Sequence, residues 1–159
     1  MTEEDLLEGK KILIADDEPD VLDTLEELLE MCETSRAGSF DEAKDLMENR
    51  HFDIAILDIM GVDGFKLLDI ANEHKIIAVM LTAHAFSPEN TIKSFKKGAA
   101  YFVPKEKIVE LTIYLNDILG AAQKGKGFWS TWMDRLSEYY TEKYGNTWME
   151  KDRDFWEKL

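Results

Sequence analysis

The chain has 159 residues, of which 45% are hydrophobic and 33% are charged, a composition that suits one globular domain with a short appendage. Its 33 acidic residues outnumber 19 basic ones and give a formal net charge of −14, which disfavours broad contact with nucleic acid or anionic lipid. The first ten residues lack the basic start and apolar run of a signal peptide, and the longest apolar run, residues 76–81, is far below the ~20 residues that cross a bilayer. We therefore expect a cytoplasmic protein with no membrane partner.

Short apolar runs alternate with amphipathic segments over residues 10–121. Pro19 suits a first helical turn, Ser39 opens a capping box, and Ser87 before Pro88 marks another helix start. The predicted strands are residues 11–15, 34–37, 53–58, 75–83 and 100–105, and the predicted helices are residues 19–32, 39–50, 65–74, 87–98 and 106–123.

This alternation predicts an α/β fold, a doubly wound five-stranded parallel sheet with helices on both faces. Right-handed crossovers bring the carboxyl ends of the strands to one edge, which is where such sheets bind their ligands. The unusual residues lie at these strand ends: Asp16, Asp17, Asp58, Thr82 and Lys105. We therefore expect three carboxylates, a hydroxyl and an amine to converge in one crevice.

Carboxylates that converge repel one another and raise one another's pKa unless a cation neutralises them. Oxygen ligands at a partly hydrated site suit Mg²⁺, which keeps waters for a phosphate partner. Beside a divalent ion, one carboxylate can attack a phosphoryl group as a nucleophile. A hydroxyl and an ammonium can then hold the phosphoryl oxygens.

The motifs "ILIADDEPD" (12–20), "AILDIM" followed by "DG", "MLTA" and "GAAYFVPK" occur in this order. Together they resemble the receiver domain of two-component response regulators over roughly residues 10–121. The resemblance implies a flavodoxin-like fold with Asp58 as the phosphoacceptor. It also implies that Asp16, Asp17 and Asp58 hold Mg²⁺ with the backbone carbonyl of Met60.

The same resemblance assigns the remaining site residues and the partners. Thr82 becomes the switch hydroxyl, Lys105 the amine that contacts the phosphoryl group, and Phe102 the switch aromatic. The phosphoryl donor would be a histidine kinase or a phosphotransfer protein, and the output would be a protein–protein contact. The expected chemistry is phosphoryl transfer to Asp58 and its hydrolysis, not metabolic turnover.

Two departures from the family pattern are visible. The segment from Asp58 to Gly64 is shorter than usual and lacks the proline that commonly follows the phosphoacceptor. Pro104 precedes Lys105, and Glu106 takes the place of the usual proline after the lysine. We therefore expect an altered path after Asp58, a trans bond after Lys105 and a different loop into the last helix.

The rest of the chain divides into a leader (1–9), a linker (122–127) and an extension (128–159). Residues 121–159 hold seven basic and seven acidic residues, so the negative charge lies before them. The extension contains all four tryptophans, Trp129, Trp132, Trp148 and Trp156. Aromatic residues at three- and four-residue steps predict a helix that ends near Gly145, followed by a second helix.

Two interpretations of the extension stay open. Its helices either pack on the receiver and extend the core, or present an aromatic surface to a protein partner or a second copy. A neutral extension lacks the basic recognition helix of a DNA-binding output domain, so we expect no nucleic-acid partner. The alternative functions are a small-substrate phosphatase or phosphotransferase that uses an aspartyl-phosphate, and a transcription regulator that acts through its tail.

Overall fold

The computed structural model describes residues 6–83, 87–125 and 127–145, where five strands alternate with five α-helices and a sixth α-helix follows. A 3₁₀ helix at Lys105–Glu110 joins the last strand to the fifth α-helix. The strands are β1 Lys11–Ala15, β2 Glu33–Ala37, β3 Ile54–Asp58, β4 Ile77–Thr82 and β5 Tyr101–Pro104. The α-helices are α1 Pro19–Leu28, α2 Phe40–Asn49, α3 Gly64–Glu73, α4 Pro88–Lys96, α5 Leu111–Lys124 and α6 Phe128–Tyr144.

The five strands form one parallel sheet in the order β2-β1-β3-β4-β5, which confirms the predicted doubly wound architecture. Strand order reverses between β1 and β3, and open α/β sheets bind ligands beside such a reversal. The register pairs Ala15 with Leu57 and Asp58 with Leu81. The carboxyl ends of β1, β3 and β4 therefore lie side by side at this edge.

The three central strands lie in the core because helices cover both faces of the sheet. All five residues of β3 are buried, and only the first residue of β1 and of β4 is more accessible. The edge strand β2 is mostly polar and partly exposed, which explains its weak sequence signal.

The helix starts follow the sequence signals. Pro19 is the first residue of α1. Ser39 Oγ accepts the backbone N–H of Glu42 at 3.2 Å, and Ser87 Oγ accepts that of Asn90 at 3.1 Å. Each serine satisfies an N–H that has no partner within its helix.

The junction between α5 and α6 is shorter than the predicted linker. Helix α5 continues to Lys124, and Gly125 ends it in the left-handed region at φ +68°, a conformation that glycine adopts without strain. The predicted linker (122–127) therefore begins inside the last turn of α5. Helix α6 ends at Gly145, φ +88°, and the predicted second helix of the extension lies outside the described residues.

Helix α6 packs on the domain instead of projecting from it. Trp132, Leu136 and Tyr140 are at most 1% exposed and belong to the same core cluster as the strands. For α6, the structure thus favours the packing interpretation. No helix of the described segments is both long enough and apolar enough to span a membrane.

Candidate functional site

Three charged residues meet at the carboxyl edge of the sheet. Asp16 follows β1 directly, Asp58 is the last residue of β3, and Lys105 follows β5. The Lys105 Nζ lies 2.8 Å from Asp16 Oδ2 and 3.4 Å from Asp58 Oδ1. The carboxylates are almost inaccessible, with Asp16 0% and Asp58 5% exposed. One ammonium therefore bridges two buried acids.

Burial and charge act in opposite directions at this site. Burial raises the pKa of the Asp58 carboxyl, and the neighbouring Asp16 raises it further, while the Gly61 N–H and Lys105 partly offset the rise. Burial alone would lower the pKa of Lys105, but Asp16 and Asp58 outweigh that cost and raise the pKa. The lysine therefore stays charged, and the site favours additional positive charge beside its carboxylates.

Gly61 brings the backbone into the site. Its N–H donates to Asp58 Oδ2 at 2.8 Å. A Cβ atom at this position would lie 2.5 Å from Asp58 Oδ2 and would also collide with the Asp17 carboxylate. The carboxylates of Asp17 and Asp58 thus flank this glycine. Sequence reasoning did not assign Gly61 a role, although its place three residues after Asp58 was a usable signal.

Glu18 is a second residue that sequence reasoning did not place in the site. Its Oε1 lies 3.4 Å from Lys105 Nζ, and its backbone N–H donates to Asp16 Oδ1 at 2.9 Å. Ligand atoms of Asp16, Asp17 and Glu18 lie within 4.8 Å of one another. The carboxylates of three successive acids therefore lie close together at the end of β1.

The donor atoms fit a hard divalent cation. Asp16 Oδ2 is buried and, among the described residues, receives no hydrogen bond of good geometry; the Lys105 ammonium at 2.8 Å is its charge partner. A buried carboxylate oxygen in this situation gains from a metal ligand bond. Oxygen donors alone, from adjacent carboxylates at a solvent-facing edge, suit Mg²⁺.

The other predicted site residues, Thr82, Met60 and Phe102, differ in their position relative to the strands and in their exposure. Thr82 ends β4 at the same edge and is 1% exposed. Met60 lies in the turn after β3 and is 66% exposed. Phe102 lies within β5, fully buried, and its carbonyl accepts the indole N–H of Trp132 at 2.9 Å.

The short segment after Asp58 closes tightly. Asp63 has φ +56°, and the Gly64 N–H donates to the carbonyl of Ile59 at 2.9 Å, where α3 begins. A Cβ at Gly64 would lie 2.8 Å from Ile59 Cα. Glycine at 64 therefore allows α3 to start within six residues of Asp58.

The chain matches one protein family over most of its described length. The family model "Response regulator receiver domain" matches residues 12–116. The chain belongs to the response-regulator receiver family. The matched range starts in β1 and ends within α5, so the receiver domain contains every residue of the edge site.

Curated relatives of this receiver domain include plant and bacterial proteins. The two-component response regulator ARR18 of Arabidopsis thaliana is 35% identical over 103 residues, covering 61% of this chain and 16% of the relative. The response regulator GtcR of Aneurinibacillus migulanus is 37% identical over 80 residues, covering 47% of this chain and 33% of the relative. This chain therefore spans a third or less of the length of either relative.

Solved receiver structures superpose on the same part of the chain. The receiver domain of the Francisella response regulator 1452 has a TM-score of 0.63 at 29% identity, covering 69% of this chain and 96% of that structure. A receiver domain protein from Clostridium thermocellum gives 0.63 at 28% identity, covering 72% and 97%. Both structures are matched almost in full, which confirms the receiver fold.

Proposed function

We propose that this receiver domain is a cytoplasmic phosphorylation-dependent switch in which Asp58 accepts a phosphoryl group from a histidine kinase or phosphotransfer protein. The observation that carries the proposal is the buried Asp58 carboxylate, which the ammonium of Lys105 links to Asp16 at the end of β1. An acid placed in this way is a nucleophile whose charge neighbouring groups control. The family membership of the chain supports the same assignment.

Magnesium would be held by Asp16, Asp17 and Asp58 with the backbone carbonyl of Met60, and when bound it would neutralise charge on the phosphoryl oxygens. The Asp58 carboxylate attacks the phosphorus of the donor's phosphohistidine, forming an acyl phosphate as the nitrogen–phosphorus bond breaks. Lys105 then turns from Asp16 to a phosphoryl oxygen as a mobile point charge. The Thr82 hydroxyl donates to another phosphoryl oxygen, and hydrolysis of the acyl phosphate resets the switch.

The output would be a protein–protein contact, either with a separate partner or with a second copy of the chain. Thr82 and Phe102 would carry the signal, because they lie on the strands on either side of the segment that leads through α4. Helix α6, with one lysine, one arginine and several acids among its residues, gives no support to a DNA-binding output.

The direct test is intact mass spectrometry after incubation with acetyl phosphate and Mg²⁺. We expect one phosphoryl mass per chain in the wild type and none in Asp58→Asn, which keeps the shape of the side chain. Asp45→Asn, on the exposed surface of α2, is the matched control and should be phosphorylated like the wild type. Equal phosphorylation of Asp58→Asn would refute the assignment, and steady turnover of small phosphoesters would favour an enzyme.

A further inference from the structure

Helix α6 covers the surface formed by α4 and β5. Three of its side chains contact α4, β5 or the 3₁₀ helix that contains Lys105. The first is Trp132, which is fully buried. Its indole N–H donates to the carbonyl of Phe102 in β5 at 2.9 Å. Its ring meets that of Phe95, in α4, edge to face at 5.3 Å between centroids. One side chain thus holds both elements.

The second contact joins α6 to the start of α4. The hydroxyls of Tyr140 and Thr91 lie 2.6 Å apart in a buried environment. Thr91 Oγ1 also lies 2.8 Å from the carbonyl of Ser87, to which it donates its single proton. Tyr140 is therefore the donor to Thr91. The resulting chain of hydrogen bonds runs from α6 to the residue that caps α4, five positions after Thr82.

The third contact adjoins the site lysine. Lys143 of α6 forms an ion pair with Glu106, which lowers the pKa of the Glu106 carboxyl. Glu106 directly follows Lys105 in the same 3₁₀ helix. This pair is exposed and contributes little energy by itself, but it shows that α6 lies against the segment that must move if Lys105 turns toward a phosphoryl group.

We propose that α6 is an intramolecular lid on the α4–β5 surface, and that seating of this lid and phosphorylation of Asp58 oppose each other. The inference rests on the proposed function. Its physical basis is that α6 contacts α4, β5 and the 3₁₀ helix in an arrangement in which Lys105 is paired with Asp16 and Asp58. A phosphoryl group that drew Thr82 and Lys105 toward itself would pull on the segment that leads from β4 to α4 and on the 3₁₀ helix that follows β5. A ligand shifts an equilibrium only through such a difference in contacts between two states.

Release of the lid would expose two matching apolar surfaces. The Trp132 and Tyr140 rings would leave the core, and Phe95 would be uncovered on α4. Large aromatic side chains of this kind dominate the energetics of protein interfaces. In this scheme the occupant of the surface in the resting chain is α6 itself, and phosphorylation makes the surface available.

The first test is hydrogen–deuterium exchange of the full chain, followed by mass spectrometry, with and without acetyl phosphate and Mg²⁺. Because coupling free energies between sites commonly correspond to factors of about 5–150, we expect amides of residues 128–144 to exchange at least about fivefold faster after phosphorylation. Amides of β1 and β3 should stay protected, and Asp58→Asn should show no change in α6.

Intact mass in the same samples separates the two proposals. Chains that carry a phosphoryl mass but exchange at an unchanged or slower rate in α6 would overturn the lid and leave the proposed function standing. Chains that never gain this mass would overturn the proposed function and the lid with it.

The second test uses the reciprocity of linked equilibria. Tyr140→Phe keeps the ring and removes the hydroxyl that bonds to Thr91, and Trp132→Phe removes the donor to the Phe102 carbonyl. Both variants should loosen α6 in the exchange experiment and gain the phosphoryl group from acetyl phosphate faster than the wild type. Glu138→Gln, on the exposed side of α6, should change neither rate. Looser α6 without faster phosphorylation would overturn the proposal.

Discussion

The ammonium of Lys105 lies closer to Asp16 Oδ2, at 2.8 Å, than to Asp58 Oδ1, at 3.4 Å. The lysine is therefore paired with Asp16, a carboxylate that we propose as a metal ligand. A divalent cation that bound Asp16 through Oδ2 would displace the lysine there and free the ammonium for the phosphoryl group. We therefore expect metal binding and the position of Lys105 to be coupled through this oxygen atom.

Lys105→Met should expose this coupling. Loss of the cation leaves two buried acids without a charge partner, and we expect the free energy of unfolding to fall by about 1–3 kcal/mol. Mg²⁺ should then stabilise the variant more than the wild type, because it no longer competes with the lysine. Thermal melts with and without Mg²⁺ measure the difference. Asp16→Asn should lose most of the Mg²⁺ effect, and an unchanged Mg²⁺ effect in Lys105→Met would contradict the coupling.

Gly61→Ala should damage the site by steric collision. The added methyl group would collide with the Asp17 and Asp58 carboxylates, and we expect a cost of about 1–3 kcal/mol together with loss of phosphorylation by acetyl phosphate. Gly120→Ala is the matched control because nothing lies within 4 Å of a Cβ at that position in α5. It should stabilise the chain by about 0.5–1 kcal/mol. Urea denaturation compares the two variants.

Much of this architecture could be predicted from the sequence because the hydrophobic periodicity and the helix-start residues indicate the same element boundaries. Buried strands read as apolar runs, and Pro19 and Ser87 mark where helices begin. The placement of Asp16, Asp58 and Lys105 at one edge followed from the rule that parallel strands share their carboxyl ends. The contact of Lys105 with both acids is therefore a consequence of topology.

Other features could not be predicted because they depend on close approach across the fold. The role of Gly61 arises from the space between two side chains that are distant in sequence. The spacing of aromatic residues predicted α6 as a helix, but periodicity does not identify the surface on which this helix packs. That surface is identified only by contacts across the fold, such as the hydrogen bond from Trp132 to the Phe102 carbonyl.

Two buried tyrosines should respond oppositely to loss of their hydroxyl. The Tyr101 hydroxyl is buried and has no hydrogen-bond partner among the described residues, so Tyr101→Phe removes an uncompensated polar group and should be neutral or stabilising. Tyr140→Phe removes a buried hydrogen bond and should cost about 0.5–1.5 kcal/mol. Chemical denaturation of both variants decides the matter, and equal destabilisation would mean that Tyr101 has a partner.

Alkaline pH should destabilise the chain through its buried phenols. Burial raises the pKa of both Tyr101 and Tyr140. The unfolded chain releases these protons near pH ~10, whereas the folded chain retains them, so their contribution to stability is complete below that pH and is lost as pH rises above it. Tyrosinate absorbance of these side chains should therefore appear together with loss of the folded circular dichroism signal. The Tyr101→Phe/Tyr140→Phe double variant should lose stability less steeply with pH, and an unchanged slope would show that other groups control the alkaline transition.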